Sequence, residues 1–233
     1  MRNSHRLAIA AAVSLAASAA VLFAASRARA ETPTAGVSGP APQAPGPAAM
    51  DATPQEQALA FTRDAISAIA ADPAARAGDS AAIAALAEAR IFPRMDFERL
   101  TASTFGPAWR SATPEQRARV QALFKKILGR VYSGALSQVD KSATVRLRPG
   151  RDIPTDSQDA IARTEVRAGS QSVDLDYRLR KGDDGAWRAV DVAVMGVWLA
   201  PTYRAQFGPE ISKGGIDGLI ARLEQMNAPR AAR

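Results

Sequence analysis

Side chains able to do covalent chemistry are scarce in these 233 residues. There is no Cys, and the one His, His5, sits in the first few residues, inside a segment read below as a removable leader. His-dependent triads, thiol nucleophiles, thiolate redox centres, Cys/His zinc sites and His-ligated haem therefore lack their reactive group. Carboxylate, Ser or Lys chemistry remains, and each candidate has a plainer reading. Ser212-Lys213 lacks the Ser-x-x-Lys spacing that puts both side chains on one helical face. Asp183-Asp184 falls in a hairpin turn, where Asp is common for backbone reasons. Asp96 and Glu98 fall in a helix first turn, where carboxylates complement the dipole. Gly214-Gly215-Ile216-Asp217-Gly218 has the glycines of a phosphate loop, but no core strand precedes it and no Lys-Ser/Thr follows. It reads as a helix start with a packing glycine. No constellation asks for an enzyme, a metal or another cofactor.

The leader is read from its own pattern. Arg2, His5 and Arg6 precede an uncharged run from Leu7 to Ser26, followed by Ala28-Arg29-Ala30. This is the layout of a cleavable signal peptide over residues 1–30. A membrane anchor is the rival, since the run approaches the roughly 20 residues needed to span a bilayer. Small residues at both Ala28 and Ala30, and a run so rich in Ala, favour cleavage. Removing four arginines and no acid takes 30 basic residues to 26 against 23 acidic, so the net charge falls from +7 to +3. That balance is no footprint for nucleic acid. An exported chain without Cys must also be stable without disulfides, so it needs a core of its own.

The elements follow from composition and period. Residues 31–50 are a flexible lead-in of Pro, Ala, Gly, Ser and Thr, residues 51–228 form one domain, and 229–233 fray. Thr53-Pro54-Gln55-Glu56 and Thr113-Pro114-Glu115-Gln116 each carry a Thr N-cap, Pro at the first helical position and Glu or Gln to close a capping box. After the second, Val120, Leu123, Phe124, Ile127, Leu128, Val131, Tyr132, Leu136 and Val139 keep helical spacing over about five turns, about 35–40 Å. Between these starts, Asp79 or Ser80 caps a helix stopped before Pro93, and Asp96 caps a short one ended by Gly106. From Ser142 the period becomes 2. Val145 and Leu147, the run 161–167, Val173 to Leu179, and Val190, Val192 and Val194 give four antiparallel strands, with turns at Ala168-Gly169-Ser170 and Gly182-Asp183-Asp184-Gly185. Gly214 to Gly218 introduce a last helix. The fold class is α+β: a mainly helical N-terminal half on one face of a twisted four-stranded antiparallel sheet, then a C-terminal helix.

The long helix and the apolar strand faces can meet as a solid core or enclose a hollow. Ala160, Ala162, Thr164, Val166 and Ala168 fill little volume on one strand face. Such small residues leave room, or they let a helix pack close to the sheet. If the long helix lies across the sheet, the wall of a hollow would consist of Phe124, Leu128, Tyr132, Val166, Val173, Leu175, Tyr177, Val192, Val194, Leu199 and Tyr203. Arg204 stands beside it as a cation for a phosphate.

Several segments, in order, resemble the MlaC-like periplasmic phospholipid-binding proteins, also called toluene-tolerance auxiliary proteins of ABC transporters. They are Pro93-Arg94-Met95-Asp96-Phe97, Phe105-Gly106-Pro107-Ala108-Trp109-Arg110, Thr113-Pro114-Glu115-Gln116-Arg117, Trp187-Arg188-Ala189-Val190-Asp191-Val192, and Tyr203-Arg204-Ala205-Gln206-Phe207 with the run at 215–220. The resemblance spans about residues 56–226. It implies a soluble, monomeric lipid carrier working between an outer-membrane lipoprotein complex and an inner-membrane ABC transporter with an MCE-domain subunit. It implies a pocket between helices and sheet for the acyl chains, with any ATP used by the partner. Where relatives usually have Gly-x-Ser-Leu, this chain has Gly196-Val197-Trp198-Leu199, and Thr202 stands where Asn is common. A hopanoid-associated branch of the family makes a rigid polycyclic lipid the alternative cargo to a phospholipid. Outside the family, the alternatives are a carboxylate enzyme of similar shape and a non-catalytic interaction or chaperone module with an open groove.

Overall fold

The computed structural model describes residues 52–228 apart from 138, 140–141, 151–156 and 170. The leader, most of the lead-in and the basic tail lie outside the described residues. Both capping boxes form. Thr53 accepts from the Glu56 amide and starts α1 (Pro54–Ala71), and Thr113 accepts from the Gln116 amide at 3.2 Å and starts α6 (Pro114–Leu136). Between them lie α2 (Pro73–Arg76), α3 (Ser80–Leu86, capped by Asp79), a π turn over Ala87–Ile91, a 3-10 turn over Phe92–Arg94, α4 (Phe97–Phe105, capped by Asp96) and α5 (Pro107–Ser111). Gly106, at φ 58°, ends α4 where a side chain would be strained.

The sheet is an antiparallel meander in sequence order: β1 (Thr144–Leu147), β2 (Asp159–Ala168), β3 (Gln171–Lys181), β4 (Trp187–Val194) and β5 (Val197–Trp198). It has five strands where the sequence pattern predicts four. The fifth is two residues long, too short to show a period, and Met195 and Gly196, both at positive φ, turn the chain into it. A register shift between Arg178 and Leu179 sets Leu179 opposite Ala189, so the helix-facing row of β4 runs Val194, Val192, Ala189. The expected row of three valines thus breaks at Val190.

The C-terminal helix starts earlier than the glycine run predicts. α7 (Leu199–Asn227) begins directly after β5 and bends at Gly215, whose φ of 59° and ψ of −144° belong to glycine alone. Gly218 fits this bend, because a Cβ there would lie 2.9 Å from the Glu210 carbonyl oxygen. It is the packing glycine of the sequence reading. Its helix start is supplied elsewhere: no Trp198 side chain caps the helix, and Asp191 of β4 accepts from the Ala200 amide at 3.1 Å instead.

The helices cover one face of the sheet. α1 makes the most extensive helix-to-sheet contact, over β1 and β2, while α6 runs between α3 and α7. The longest apolar stripe in the sequence therefore serves helix–helix packing, unlike the expected crossing of the sheet. The other face carries ion pairs in a ladder: Arg146 with Glu165, Arg148 with Asp174 and Asp176, Arg178 with Asp191, and Arg180 with Asp159.

Candidate functional site

Buried apolar side chains form two clusters. The larger joins α4, α6, α7 and the β3–β4 region and is rich in aromatics. Phe105 lies 5.3 Å from Phe124 and 6.0 Å from Phe207, Phe97 lies 6.0 Å from Phe124, and Tyr203 lies 5.0 Å from Phe124. The smaller joins α1, α2, α3, β1 and β2 through Ile66, Ile69, Ile83, Val145 and Val166. Among the described residues, Leu175 is the half-buried side chain that packs against both. Across the sheet it stands opposite Thr164 on one side and Val194 on the other, and Thr164 donates to its carbonyl.

Around Leu175 the apolar residues stop being sealed. Val131 and Tyr132 on α6, Val173 and Leu175 on β3, and Val192 and Val194 on β4 are all half-buried. Cross-strand pairs Val166–Val173, Leu175–Val194 and Tyr177–Val192 put the strand members on the helix-facing side. These residues form a seam of partly open apolar wall: Val131, Tyr132, Leu175 and Val192 pack against the larger cluster, and Leu175 also against the smaller. The small residues of β2, Ala160, Ala162 and Thr164, are buried where α1 packs on this strand, the close helix–sheet packing that their size allows.

The eleven predicted wall residues divide. Tyr132, Val173, Leu175, Val192 and Val194 line the seam, with Leu128, Tyr177 and Tyr203 buried behind it. Phe124 is fully buried among rings, Val166 belongs to the smaller cluster, and Leu199 is the buried first residue of α7. Val131, which the sequence reading leaves out of the wall, is on the α6 stripe and half-buried against the larger cluster; its helical spacing was the available signal. Arg204 is exposed and donates to the Ser103 carbonyl, in a cleft of about 600 Å³ shared with Arg99, Arg178, Arg180 and Asp191. The structure therefore does not bring Arg204 to the apolar wall. Trp198 also faces away: it pairs with Ala193 on the ion-pair face, and the Arg178 guanidinium lies 4.2 Å from its ring centroid.

The three tyrosines all sit at or behind this seam. Thr62 donates to the Ala58 carbonyl at 2.7 Å, so the Tyr177 hydroxyl donates to Thr62 at 2.9 Å and ties β3 to α1. Burial pushes the Tyr177 and Tyr132 phenols up to about 12, and raises Tyr203 as well. The Tyr203 hydroxyl, on a residue only 2% exposed, has no hydrogen-bond partner. Its polar neighbour is the Tyr132 phenol, near enough for each phenol to shift the other's titration, Tyr203 upward and Tyr132 downward, although the pair falls short of full hydrogen-bonding geometry. An unmade bond at a buried hydroxyl costs about 1–3 kcal/mol.

The remaining buried carboxylates have structural work. Glu165 is held down to about 2 by Ser172, Arg167 and Arg146. Asp191 is raised by burial despite the amides of Ala200 and Val192 and the charge of Arg178. Both belong to the ion-pair face, away from the seam. Among the described residues no group of acids could hold a metal ion.

The fold and the site define an α+β protein whose helices cover one face of an antiparallel sheet and leave an apolar seam partly open. The MlaC protein family matches residues 60–225, and the chain belongs to that family. A solved structure of a phospholipid-binding protein from Ralstonia solanacearum, in complex with a phospholipid, is 37% identical, covers 76% of this chain and 97% of its own, and superposes with a TM-score of 0.70.

Proposed function

We propose that the chain is a soluble phospholipid carrier of the periplasm. It receives acyl chains in the seam bounded by Tyr132, Leu175, Val192 and Val194, and moves them between an outer-membrane complex and an inner-membrane MCE-domain ABC transporter. Residues 1–30 direct export and are removed. The observation that carries the reading is the division of the apolar interior at Leu175, in a chain 37% identical to a protein crystallised with a phospholipid. Two acyl chains hold about 30 methylenes, and at roughly 0.8 kcal/mol each their transfer through water costs more than about 20 kcal/mol. A carrier must cover them and still release them, which suits an apolar wall with few polar anchors. No helix among the described residues is long and apolar enough to cross a membrane.

Native mass spectrometry of the protein purified from a bacterial periplasm, with extraction of co-purifying lipid, tests this directly. A one-to-one adduct with the mass of a phospholipid, and uptake from labelled vesicles, are the expected results. Lipid-free protein that also takes up nothing from vesicles overturns the reading.

A further inference from the structure

We infer that the Tyr203 hydroxyl, with the Tyr132 phenol beside it, donates a hydrogen bond to an ester carbonyl of the bound lipid, so that the site favours diacyl ester lipids over ether-linked or purely hydrocarbon cargo. The inference rests on the phospholipid-carrier reading and adds the chemical class of linkage.

Three observations converge on it. Tyr203 is 2% exposed, so water from the surface does not reach its hydroxyl freely, and the hydroxyl has no partner among the described residues. Tyr177, equally buried, shows how this interior treats a phenol that serves the fold: it is tied to Thr62 at 2.9 Å. Tyr132 is half-buried on the seam, so the pair grades from the dry interior toward solvent. A hydroxyl left unmade in such a place persists where a ligand completes it.

The chemistry of the surroundings narrows the ligand. A hydrocarbon tail or a polycyclic hydrocarbon offers no acceptor. A phosphate is too strongly hydrated for an apolar site without a cation, and the cations nearest in sequence to the two phenols are engaged elsewhere, Arg204 in the outer cleft and Arg130 on the Met226 carbonyl. An ester carbonyl is a neutral acceptor at the point where the tails join, and accepting from a phenol costs it no charge burial. Both phenols have raised pKa values and stay protonated donors at ordinary pH.

The test compares diacyl and dialkyl phosphatidylethanolamine of equal chain length as competitors for a fluorescent phospholipid, with wild type, Tyr203→Phe and Tyr132→Phe. Wild type is expected to prefer the diacyl lipid by about 5–10-fold, the yield of one hydrogen bond. Tyr203→Phe should bring the two lipids within about twofold of each other, chiefly by weakening the diacyl lipid. Tyr132→Phe should reduce the preference less. Equal binding of the two lipids by wild type, or an undiminished preference in Tyr203→Phe, overturns the inference while the carrier reading stands. Failure of wild type to bind either lipid overturns the carrier reading and the inference with it. Thermal melting of the lipid-free proteins is the second check. Removing an unpartnered hydroxyl leaves the midpoint unchanged or raises it, whereas a clear fall in Tyr203→Phe shows that the hydroxyl is satisfied within the protein and overturns the inference.

Discussion

The aromatic end of the interior and the seam beside it are built from the same kinds of residue and differ in how they are closed. At the aromatic end Phe105, Phe124, Phe207, Leu219 and Leu223 are fully buried, with rings meeting edge to face. At the seam Tyr132, Val173, Leu175, Val192 and Val194 are each left half-buried. Helix-to-helix contact explains the difference. α6 packs on α7 over the aromatic end, whereas α1 covers β1 and β2 on the far side of Leu175, leaving the β3–β4 surface between them less completely roofed. One end stores stability, and the other leaves apolar surface available for a ligand.

Mutations should separate the two ends. Phe124→Ala is the largest expected effect, a loss of about 3–5 kcal/mol by urea denaturation, because the ring it removes is touched on three sides. A loss below about 1 kcal/mol would mean that the aromatic end does not close as described. Val192→Trp addresses the other end. A ring in the seam should lower phospholipid uptake from vesicles about tenfold, or about 1.4 kcal/mol, with a melting midpoint close to wild type. Unchanged uptake would move the cargo site away from the seam.

The ion-pair face supplies the smaller effects. Glu165 is held down to about 2, so between that value and the ordinary carboxylate range the unfolded chain binds a proton that the folded one does not. Its contribution is complete above the ordinary range and disappears as the pH falls toward about 2. Glu165→Gln should therefore flatten the acid limb of a stability–pH profile measured by denaturant titration, and an identical limb would count against the Ser172, Arg167 and Arg146 contacts. Arg180→Ala, which breaks an exposed pair with Asp159, should change stability by no more than about 0.5 kcal/mol.

Much of the fold was legible because its signals are local. Thr53 and Thr113 cap helices through residues three positions away, and the strands of 159–194 announce themselves by alternation. The first half of α7 was not legible, since Pro201, Gly208, Pro209 and Gly214 read as loop. That half is held from a distance, by the Asp191 carboxylate and by Tyr203 and Phe207 on the Phe105–Phe124 rings. Periodicity found Tyr132, Leu175 and Val192 as inward-facing, but it cannot distinguish a sealed residue from a half-open one. That depends on which helix covers which strand. The position of Arg204 one residue after Tyr203 suggested a shared site, whereas a helix turns successive side chains about 100° apart and sends them to different surfaces.

The Asp191 contact has one more consequence. The strand bearing Val192 and the helix bearing Tyr203 are clasped together at a dry carboxylate, with only the short hairpin through Met195 and Gly196 between them. Parting them would strip a charge of its amides inside the protein. Those two sides therefore behave as a single fixed jaw, so any widening of the seam falls to α6, which carries Val131 and Tyr132.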